Sequence, residues 1–475
     1  MVFSSLIFIF GFLPFTLLLY YFSPNIKVKN YVLTFLSILF YAWGEPVWVI
    51  LLLISSIVDF VNGKIIARHL GQWKARVALI ASIFFNLGFL ITFKYTGFFI
   101  DNLNLIPGVH LPGWEIALPI GISFYTFQTL SYTIDVYRGK VEAQQSFMDF
   151  LLFVSLFPQL VAGPILRYVD VAEQIKFRKT TLQGFSTGVT RFVIGLAKKV
   201  LIANYAGNIA RLLLDGNLAD LSVLEAWLGI ILFSFQIYFD FSGYSDMAIG
   251  LGHMFGFNYK ENFNYPYTST SITDFWRRWH ISLSSFFRDY VYIPLGGNKK
   301  RMFLNILIVW LLTGFWHGAS WNFILWGLYF AVLLIIEKVF LLELFKRLPK
   351  FVPHIYALFF IVVGWVFFYF TDLNTMGTFF KCLFGLNGLP LVTEKGLTLL
   401  TNNSLLLVLA SLASLPISKY IKIYFDNNML VNPLTSTRRQ AFSGIAVIVF
   451  NSIVFLISTI ALVGSSYNPF IYFRY

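Results

Sequence analysis

The sequence predicts an all-α polytopic membrane protein with about eleven transmembrane helices. Of its 475 residues, 58% are hydrophobic and only 12% are charged, whereas soluble globular proteins carry about 25% charged residues. The mean hydropathy is +0.73, and apolar runs recur along the whole chain. This composition excludes a soluble enzyme and a disordered chain, and the single cysteine, Cys382, excludes a secreted disulfide scaffold and a cysteine metal cluster.

The individual spans follow from the apolar runs, because a helix of about 20 apolar residues crosses the hydrocarbon layer of a bilayer. The first run, residues 6–22, has no charge, no preceding basic segment and no small-residue cleavage site, so we interpret it as a retained span. The run at 147–161 is short and contains Pro158, which favours a re-entrant segment. Further spans are predicted at 31–43, 47–61, 77–93, 116–132, 185–203, 224–250, 303–316, 321–336, 354–370, 404–417 and 441–463.

Basic residues predict the orientation, because Lys and Arg concentrate in cytoplasmic loops. The chain carries 35 basic and 22 acidic residues, a net charge of +13, which we assign to such loops rather than to nucleic-acid binding. An outside N-terminus, with hairpins at 44–46 and 318–320, also places the tail 464–475 outside. We expect one integral-membrane domain over residues 1–475, in contact with membrane lipids. The cytoplasmic basic segments are then residues 27–29, 64–76, 277–301, 346–350 and 438–439.

The segment 271–290 differs from the spans, because its apolar residues recur at steps of three and four and form one stripe of a helix. Trp276 lies on this stripe and Arg277 on the opposite face. Ser271 followed by Asp274 resembles a helix capping box. The pattern predicts one amphipathic helix that lies in the membrane interface, with His280 at the edge of its apolar stripe.

His317 is the first candidate for chemistry, because an ionisable residue at membrane depth is costly and indicates function. It lies near the end of an apolar run, and Trp316 and Asn322 are close to it in sequence. A neutral imidazole can accept a proton from an attacking hydroxyl group. The alternative is a structural histidine that is hydrogen-bonded to a neighbouring helix. For His280 the alternative is an amphipathic residue at the border of an interfacial helix, with its polar ring atoms directed toward water.

Polar residues inside the apolar run 224–250 form a second candidate group. Asp240, Tyr244 and Asp246 either line a polar cavity or satisfy one another and nearby basic residues. No serine-hydrolase elbow, zinc-protease motif, phosphate-binding loop or paired-cysteine motif occurs in the sequence. We therefore expect neither a metal nor a bound cofactor.

Several motifs in this order resemble the membrane-bound O-acyltransferases, specifically the bacterial branch that O-acetylates alginate, peptidoglycan and other exported polysaccharides. The resemblance runs over nearly the whole chain and implies a tunnel through the helices. The motifs are Leu-Phe-Pro-Gln-Leu-Val-Ala-Gly-Pro at 156–164, Phe-Asp-Phe-Ser-Gly-Tyr-Ser-Asp at 239–246, Asn-Tyr-Pro-Tyr at 264–267, Asp-Phe-Trp-Arg-Arg-Trp-His-Ile-Ser-Leu at 274–283, Tyr-Ile-Pro-Leu-Gly-Gly at 292–297 and Gly-Phe-Trp-His-Gly at 314–318.

The resemblance implies a role for each candidate residue. His317 corresponds to the histidine of the family's Trp-His-Gly motif, the presumed catalytic residue, and His280 would aid or orient it. The resemblance also implies cytoplasmic acetyl-CoA as donor substrate, a polysaccharide acceptor, an extracytoplasmic acyltransferase partner of the SGNH-hydrolase type, and a place in the bacterial cytoplasmic membrane. The residues expected to line the tunnel are Trp276, Arg277, Trp316, Asn322, Asp240 and Tyr244.

The tail at 467–475, Tyr-Asn-Pro-Phe-Ile-Tyr-Phe-Arg-Tyr, resembles that of the polysaccharide-acetylating branch. We hypothesise that Tyr475 enters the tunnel, takes the acetyl group on its phenol and passes it to the partner, since a phenol is a feasible nucleophile beside a base. The alternative is an aromatic anchor at the membrane interface.

Three alternative functions stay open. D-alanyl transfer and longer-chain acyl transfer belong to the same family, and the tail argues against the first of them. A glycan or lipid transporter would use buried Asp and His in a proton relay, but no inverted repeat supports it.

Overall fold

A computed structural model describes residues 1–113, 117–160, 163–417 and 436–464, and these residues form helices and connecting turns without a strand. They divide into two compact units, and α10 (Leu182–Ala197) and α12 (Val223–Met254) contribute to both. The expectation of one domain over residues 1–475 stays a prediction. The all-α fold is confirmed for the described residues.

The first unit comprises Met1–Phe192 and Tyr244–Glu261. The helix α3 packs on α4 and α6, and α2 packs on α7. A π-helical turn, Ile91–Tyr95, joins α4 to α5. Besides the parts of α10 and α12, the helices are α1 (Leu13–Phe22), α2 (Ile26–Gly44), α3 (Val49–Arg68), α4 (Trp73–Leu90), α5 (Thr96–Leu103), α6 (Ile122–Tyr137), α7 (Phe147–Ser155), α8 (Phe157–Leu160) and α9 (Tyr168–Phe177).

The second unit comprises Val193–Gly243 and the described residues from Asn262 onward. Its core is aromatic, and α16 packs on both α15 and α18. The helices are α11 (Asn204–Leu214), α13 (Ile272–Arg278), α14 (Ile281–Phe287), α15 (Met302–His317), α16 (Trp321–Ile336), α17 (Leu342–Phe345), α18 (Phe351–Tyr369), α19 (Leu373–Leu383), α20 (Glu394–Asn402), α21 (Ser404–Ala413) and α22 (Ser436–Val463).

The described residues contain six helices that are long and apolar enough to cross a membrane, or seven if the pair α20–α21, bent by 52°, forms one span. Two shorter apolar helices, Phe8–Phe22 and Met302–His317, add to these. The predicted number of eleven is therefore not confirmed, although the chain is a multi-pass membrane protein. The six helices are Val49–Arg68, Trp73–Leu103, Val223–Met254, Trp321–Phe345, Phe351–Tyr369 and Gly444–Val463.

The run at 147–161 forms two short helices, α7 and α8, that are interrupted at Leu156. Neither is long enough to cross a bilayer, since nine residues of helix extend only about 14 Å. This geometry agrees with the predicted re-entrant segment. Val161, at the end of the run, lies outside the described residues.

The prediction of one continuous helix over 271–290 is wrong, whereas its location at the membrane interface stays a prediction. The segment forms two helices, α13 and α14, which are separated at Trp279 and His280. His280 has a φ of 45° and a ψ of 53°, in the left-handed region that interrupts a right-handed helix. The apolar stripe is also buried inside the protein, because Ile272 and Phe275 are inaccessible to solvent. A stripe of this periodicity suits a protein core as well as a membrane surface.

Candidate active site

A cavity of about 220 Å³ in the second unit brings the two candidate histidines together. Its walls come from α13, α14 and α15, and Leu334 of α16 also contributes. Five of the six expected tunnel residues belong to this unit, but only Trp276 and Arg277 are among the described residues that line the cavity. The lining thus combines two imidazoles, several aromatic rings and three basic side chains.

His317 lies at the last residue of α15 and is 8% exposed. Its ring is held by aromatic neighbours: the ring centroids of Trp316, Trp326 and Phe368 lie 4.8, 5.0 and 5.2 Å from its own. The helix ends there because Gly318 has an extended backbone. A Cβ at Gly318 would lie 2.3 Å from the ring of Phe323, so a larger residue could not end the helix in this way.

The position of His317 also depends on a close crossing of α15 and α16. A Cβ on Gly314 would lie 2.2 Å from the carbonyl oxygen of Phe323, and a Cβ on Gly327 would lie 2.3 Å from that of Trp310. The two glycines therefore allow the helix backbones to touch. His317 lies one turn further along α15, so this helix crossing determines its position in the cavity.

His280 lies between α13 and α14 and is 1% exposed. Its Nδ1 lies 3.2 Å from the Oδ1 of Asn262, and Phe241 packs on the ring at a centroid distance of 4.7 Å. His280 lies outside the apolar helices that could cross a membrane, and the protein around it determines the pKa of its ring. Burial lowers the pKa of the His280 ring to about 3, so the ring is neutral near pH 7.

Trp316 connects the two histidines. Its ring centroid is 6.0 Å from that of His280 and 4.8 Å from that of His317. Both contacts are tilted toward an edge-on arrangement, which is the favourable geometry for aromatic pairs. Trp316 thus contacts both imidazoles, although it is not among the described residues that line the cavity.

Three cationic side chains line the same cavity: Arg277, Arg288 and Lys338. Arg288 also pairs with Asp289 at 2.7 Å, and Lys338 donates a hydrogen bond to Asn298 at 3.1 Å. Guanidinium and ammonium groups are the usual protein partners of phosphate groups. The cavity can therefore hold an anionic group near two neutral or titratable imidazoles.

The helix α13, which carries Trp276 and Arg277, is fixed at its N-terminus by side chains. The Glu337 carboxylate accepts hydrogen bonds from the backbone amides of Ile272 and Thr273 at 2.6 and 2.8 Å, and from the Thr273 hydroxyl at 2.7 Å. Ser271 caps the same end by accepting from the amide of Asp274 at 2.9 Å, as the capping pattern predicts. These bonds satisfy the first free amides of the helix.

The carboxylates of α12 are engaged in ion pairs. Asp240 pairs with Lys199 at 2.8 Å, and both side chains are almost fully buried. Asp246 pairs with Arg191 at 2.6 Å in the first unit. These ion pairs agree with the alternative in which the carboxylates are neutralised by basic neighbours. Asp240 is also not among the described residues that line the cavity.

The remaining predicted residues lie elsewhere. Asn322, buried at the start of α16, donates a hydrogen bond to the carbonyl of Phe367 at 3.0 Å, which is a structural role. Tyr244 belongs to the first unit, where it stacks on Phe3 at a centroid distance of 4.5 Å. Neither is among the described residues that line the cavity. Tyr475, like the rest of the tail after Gly464, lies outside the described residues.

Four residues of the site and its surroundings carry no predictive motif in the sequence: Asn262, Glu337, Lys199 and Lys338. Asn262 and Glu337 act through contacts 18 and 65 residues away in the chain, so no local pattern reveals them. Lys199 offers a signal in hindsight, because a lysine inside the apolar run 185–203 requires a partner.

The family model described as the membrane-bound O-acyltransferase family matches residues 141–380. The chain is 38% identical to the probable alginate O-acetylase of Azotobacter vinelandii in an alignment of 511 positions, which covers 100% of both chains. It is 36% identical to the peptidoglycan O-acetyltransferase of Helicobacter pylori, over 82% of this chain and 81% of that protein. It is 31% identical to the teichoic acid D-alanyltransferase of Bacillus subtilis, over 52% and 65% of the two chains.

Proposed function

The chain belongs to the membrane-bound O-acyltransferase family, and from this premise we propose that it moves an acetyl group from cytoplasmic acetyl-CoA toward the O-acetylation of an exported polysaccharide. The single observation that carries the proposal is the shared cavity of His280 and His317, with basic side chains in its wall. The chain is an acyltransferase and a multi-pass membrane protein, and we propose the bacterial cytoplasmic membrane as its location.

In the proposed reaction, His317 is the general base. The acceptor hydroxyl gives its proton to the imidazole while its oxygen bonds to the thioester carbonyl carbon. The carbon–sulfur bond then breaks, and the CoA thiolate takes the proton back from the imidazolium. Positioned proton transfer of this kind contributes about 10²–10⁴-fold in rate, and His280 assists through the same cavity.

The basic residues of the cavity support acetyl-CoA as the donor. Arg277, Arg288 and Lys338 offer hydrogen-bond donors and positive charge to the phosphates of CoA. Full-length similarity to proteins named O-acetylase supports an acetyl group, whereas the similarity to a D-alanyltransferase covers about half of the chain. Longer acyl groups are the weaker alternative, because the relatives that match over the full length of the chain are named O-acetylases.

The final acceptor is proposed to lie outside the membrane, since the named relatives act on alginate and peptidoglycan. An extracytoplasmic acyltransferase of the SGNH-hydrolase type would complete the transfer. Tyr475 is the proposed acyl carrier between the two proteins. Deletion of residues 473–475 tests this step, because full polysaccharide acetylation in cells without them removes Tyr475 from the mechanism.

The experiment for the whole proposal uses the purified chain in lipid vesicles with radiolabelled acetyl-CoA and a soluble hydroxyl acceptor. His317→Ala should reduce acetyl transfer by at least about 100-fold, because it removes the general base. His69→Ala is the matched control, since His69 is partly exposed at the end of α3, and its Nδ1 lies 3.3 Å from the Oε1 of Gln72 in the following turn. Undiminished transfer by His317→Ala would refute the assignment.

A further inference from the structure

The hydrogen bonds around Asn262 determine which ring nitrogen of His280 carries its proton. The backbone amide of Ser282 lies 3.2 Å from the Asn262 Oδ1, and an amide N–H can only donate. The Ser282 hydroxyl donates to the same oxygen at 2.8 Å. The atom at this position is therefore the oxygen of the Asn262 amide and not its nitrogen.

His280 Nδ1 lies 3.2 Å from this oxygen. Since the oxygen only accepts, Nδ1 must carry a hydrogen and donate it. The Ser282 hydroxyl, 3.4 Å from Nδ1, is already used in its shorter bond to Asn262. In a neutral ring with a proton on Nδ1, the lone pair is on Nε2. That nitrogen is buried and has no hydrogen-bond partner among the residues that the structure describes.

We propose that Asn262 is a positioning residue that holds His280 as the Nδ1–H tautomer, so that Nε2 accepts a hydrogen bond from a donor group of the bound substrates in the cavity, other than the hydroxyl whose proton passes to His317. The functional part rests on the proposed acyl transfer, whereas the tautomer follows from the contacts alone. Asn262 also supports the backbone of the same break, because its carbonyl accepts from the amide of Ile281 at 2.9 Å. The left-handed conformation of His280 is thus held by the residue that orients its ring.

The charged surroundings favour the neutral ring. Arg277, Arg288, Lys338 and His317 line the same cavity, and all four are cationic or can become so. Phe241, which packs on the ring from α12, carries no charge. A further positive charge on His280 is therefore disfavoured, in addition to the burial that lowers the pKa of its ring.

The test is Asn262→Asp, a change of nearly equal shape. The Asn262 Nδ2 has no hydrogen-bond partner among the described residues, so the change removes no bond in the structure and keeps the acceptor oxygen. A carboxylate beside the imidazole raises its pKa by about 1–3 units. Starting from a pKa of about 3, this brings the pKa of His280 to about 4–6. We expect transfer near that of the wild type at pH 7 and above, and a loss relative to the wild type of about tenfold for each pH unit below the new pKa. Ser282→Ala, which removes a bond to the same oxygen without adding charge, should keep the wild-type pH profile.

A merely structural Asn262 would give Asn262→Asp the wild-type pH profile, and that result would overturn the proposal. Nitrogen NMR of histidine-labelled protein in vesicles tests the tautomer without an activity assay, with the His280 signals assigned by their loss in His280→Gln. We expect a protonated Nδ1 and an unprotonated Nε2; a protonated Nε2 overturns the proposal even if Asn262→Asp is inactive at every pH. Full transfer by His280→Ala would instead refute the role of His280 in the proposed reaction and leave the tautomer intact.

Discussion

Replacement of Gly314 by alanine should disable the enzyme through the geometry of one helix crossing. The new Cβ would lie 2.2 Å from the carbonyl oxygen of Phe323, whereas ordinary contacts begin at 3.4 Å. The backbones of α15 and α16 must therefore separate by about 1 Å, since neither contact atom belongs to a flexible side chain. His317 lies one turn further along α15 and would move with it. A displacement of this size at a reacting group costs about 100-fold in rate.

The assay is acetyl transfer by purified variants in vesicles, together with thermal unfolding in detergent. Overpacking should lower the stability of Gly314→Ala by about 1–3 kcal/mol, and Gly327→Ala should behave alike because it acts at the same crossing. Gly377→Ala is the control: it lies within a helix and its Cβ meets nothing within 4 Å. Gly314→Ala with the rate and melting temperature of the wild type would show that this crossing does not position His317.

Three further predictions concern stability and use thermal unfolding of purified protein. Glu337→Ala should destabilise by at least about 2 kcal/mol, because it leaves two amides of α13 without an acceptor; an unchanged melting temperature would contradict this. Ser271→Ala removes one cap of the same helix and should cost about 0.5–2 kcal/mol, less than Glu337→Ala, and the reverse order would be inconsistent with the contacts. Lys199→Ala should cost about 3–5 kcal/mol because it leaves Asp240 buried without its cation, whereas Lys199→Met combined with Asp240→Leu should recover most of that loss. A double variant as unstable as the single one would argue against the pair.

The sequence was sufficient for the fold class, because composition is a local property. The two histidines that its motifs indicate line one cavity in the structure, and their catalytic roles stay a prediction. The sequence also predicted the cap at Ser271. It failed at the break between α13 and α14, since the three- and four-residue spacing of Ile272, Phe275 and Leu283 continues across Trp279 and His280 without interruption. Hydrogen bonds from a segment distant in the chain support that break: Asn262 accepts from the amides of Ile281 and Ser282, and the amide of Asn264 donates to the carbonyl of Arg278.

The described residues do not confirm the predicted number of eleven spans, because helix length and apolar composition alone do not distinguish a span from a buried helix. Apolar runs in this chain serve the protein interior as well as the bilayer. The helix α6 (Ile122–Tyr137) overlaps the predicted span 116–132. It has 16 residues, and almost all of them are buried among neighbouring helices. Likewise, the sequence could not decide whether Asp240 faces a cavity or a cation, because Lys199 is 41 positions away in the chain.

The most direct test of the account is a structure of this protein with a non-hydrolysable acetyl-CoA analogue. The central claim is that His317 is reached by the donor from one side of the membrane and by the acceptor from the other. We expect the acetyl end of the analogue inside the cavity lined by His280 and His317, with a passage continuing from His317 to the opposite membrane face. An acetyl group bound outside this cavity, or a His317 ring closed off from that face, would contradict the account.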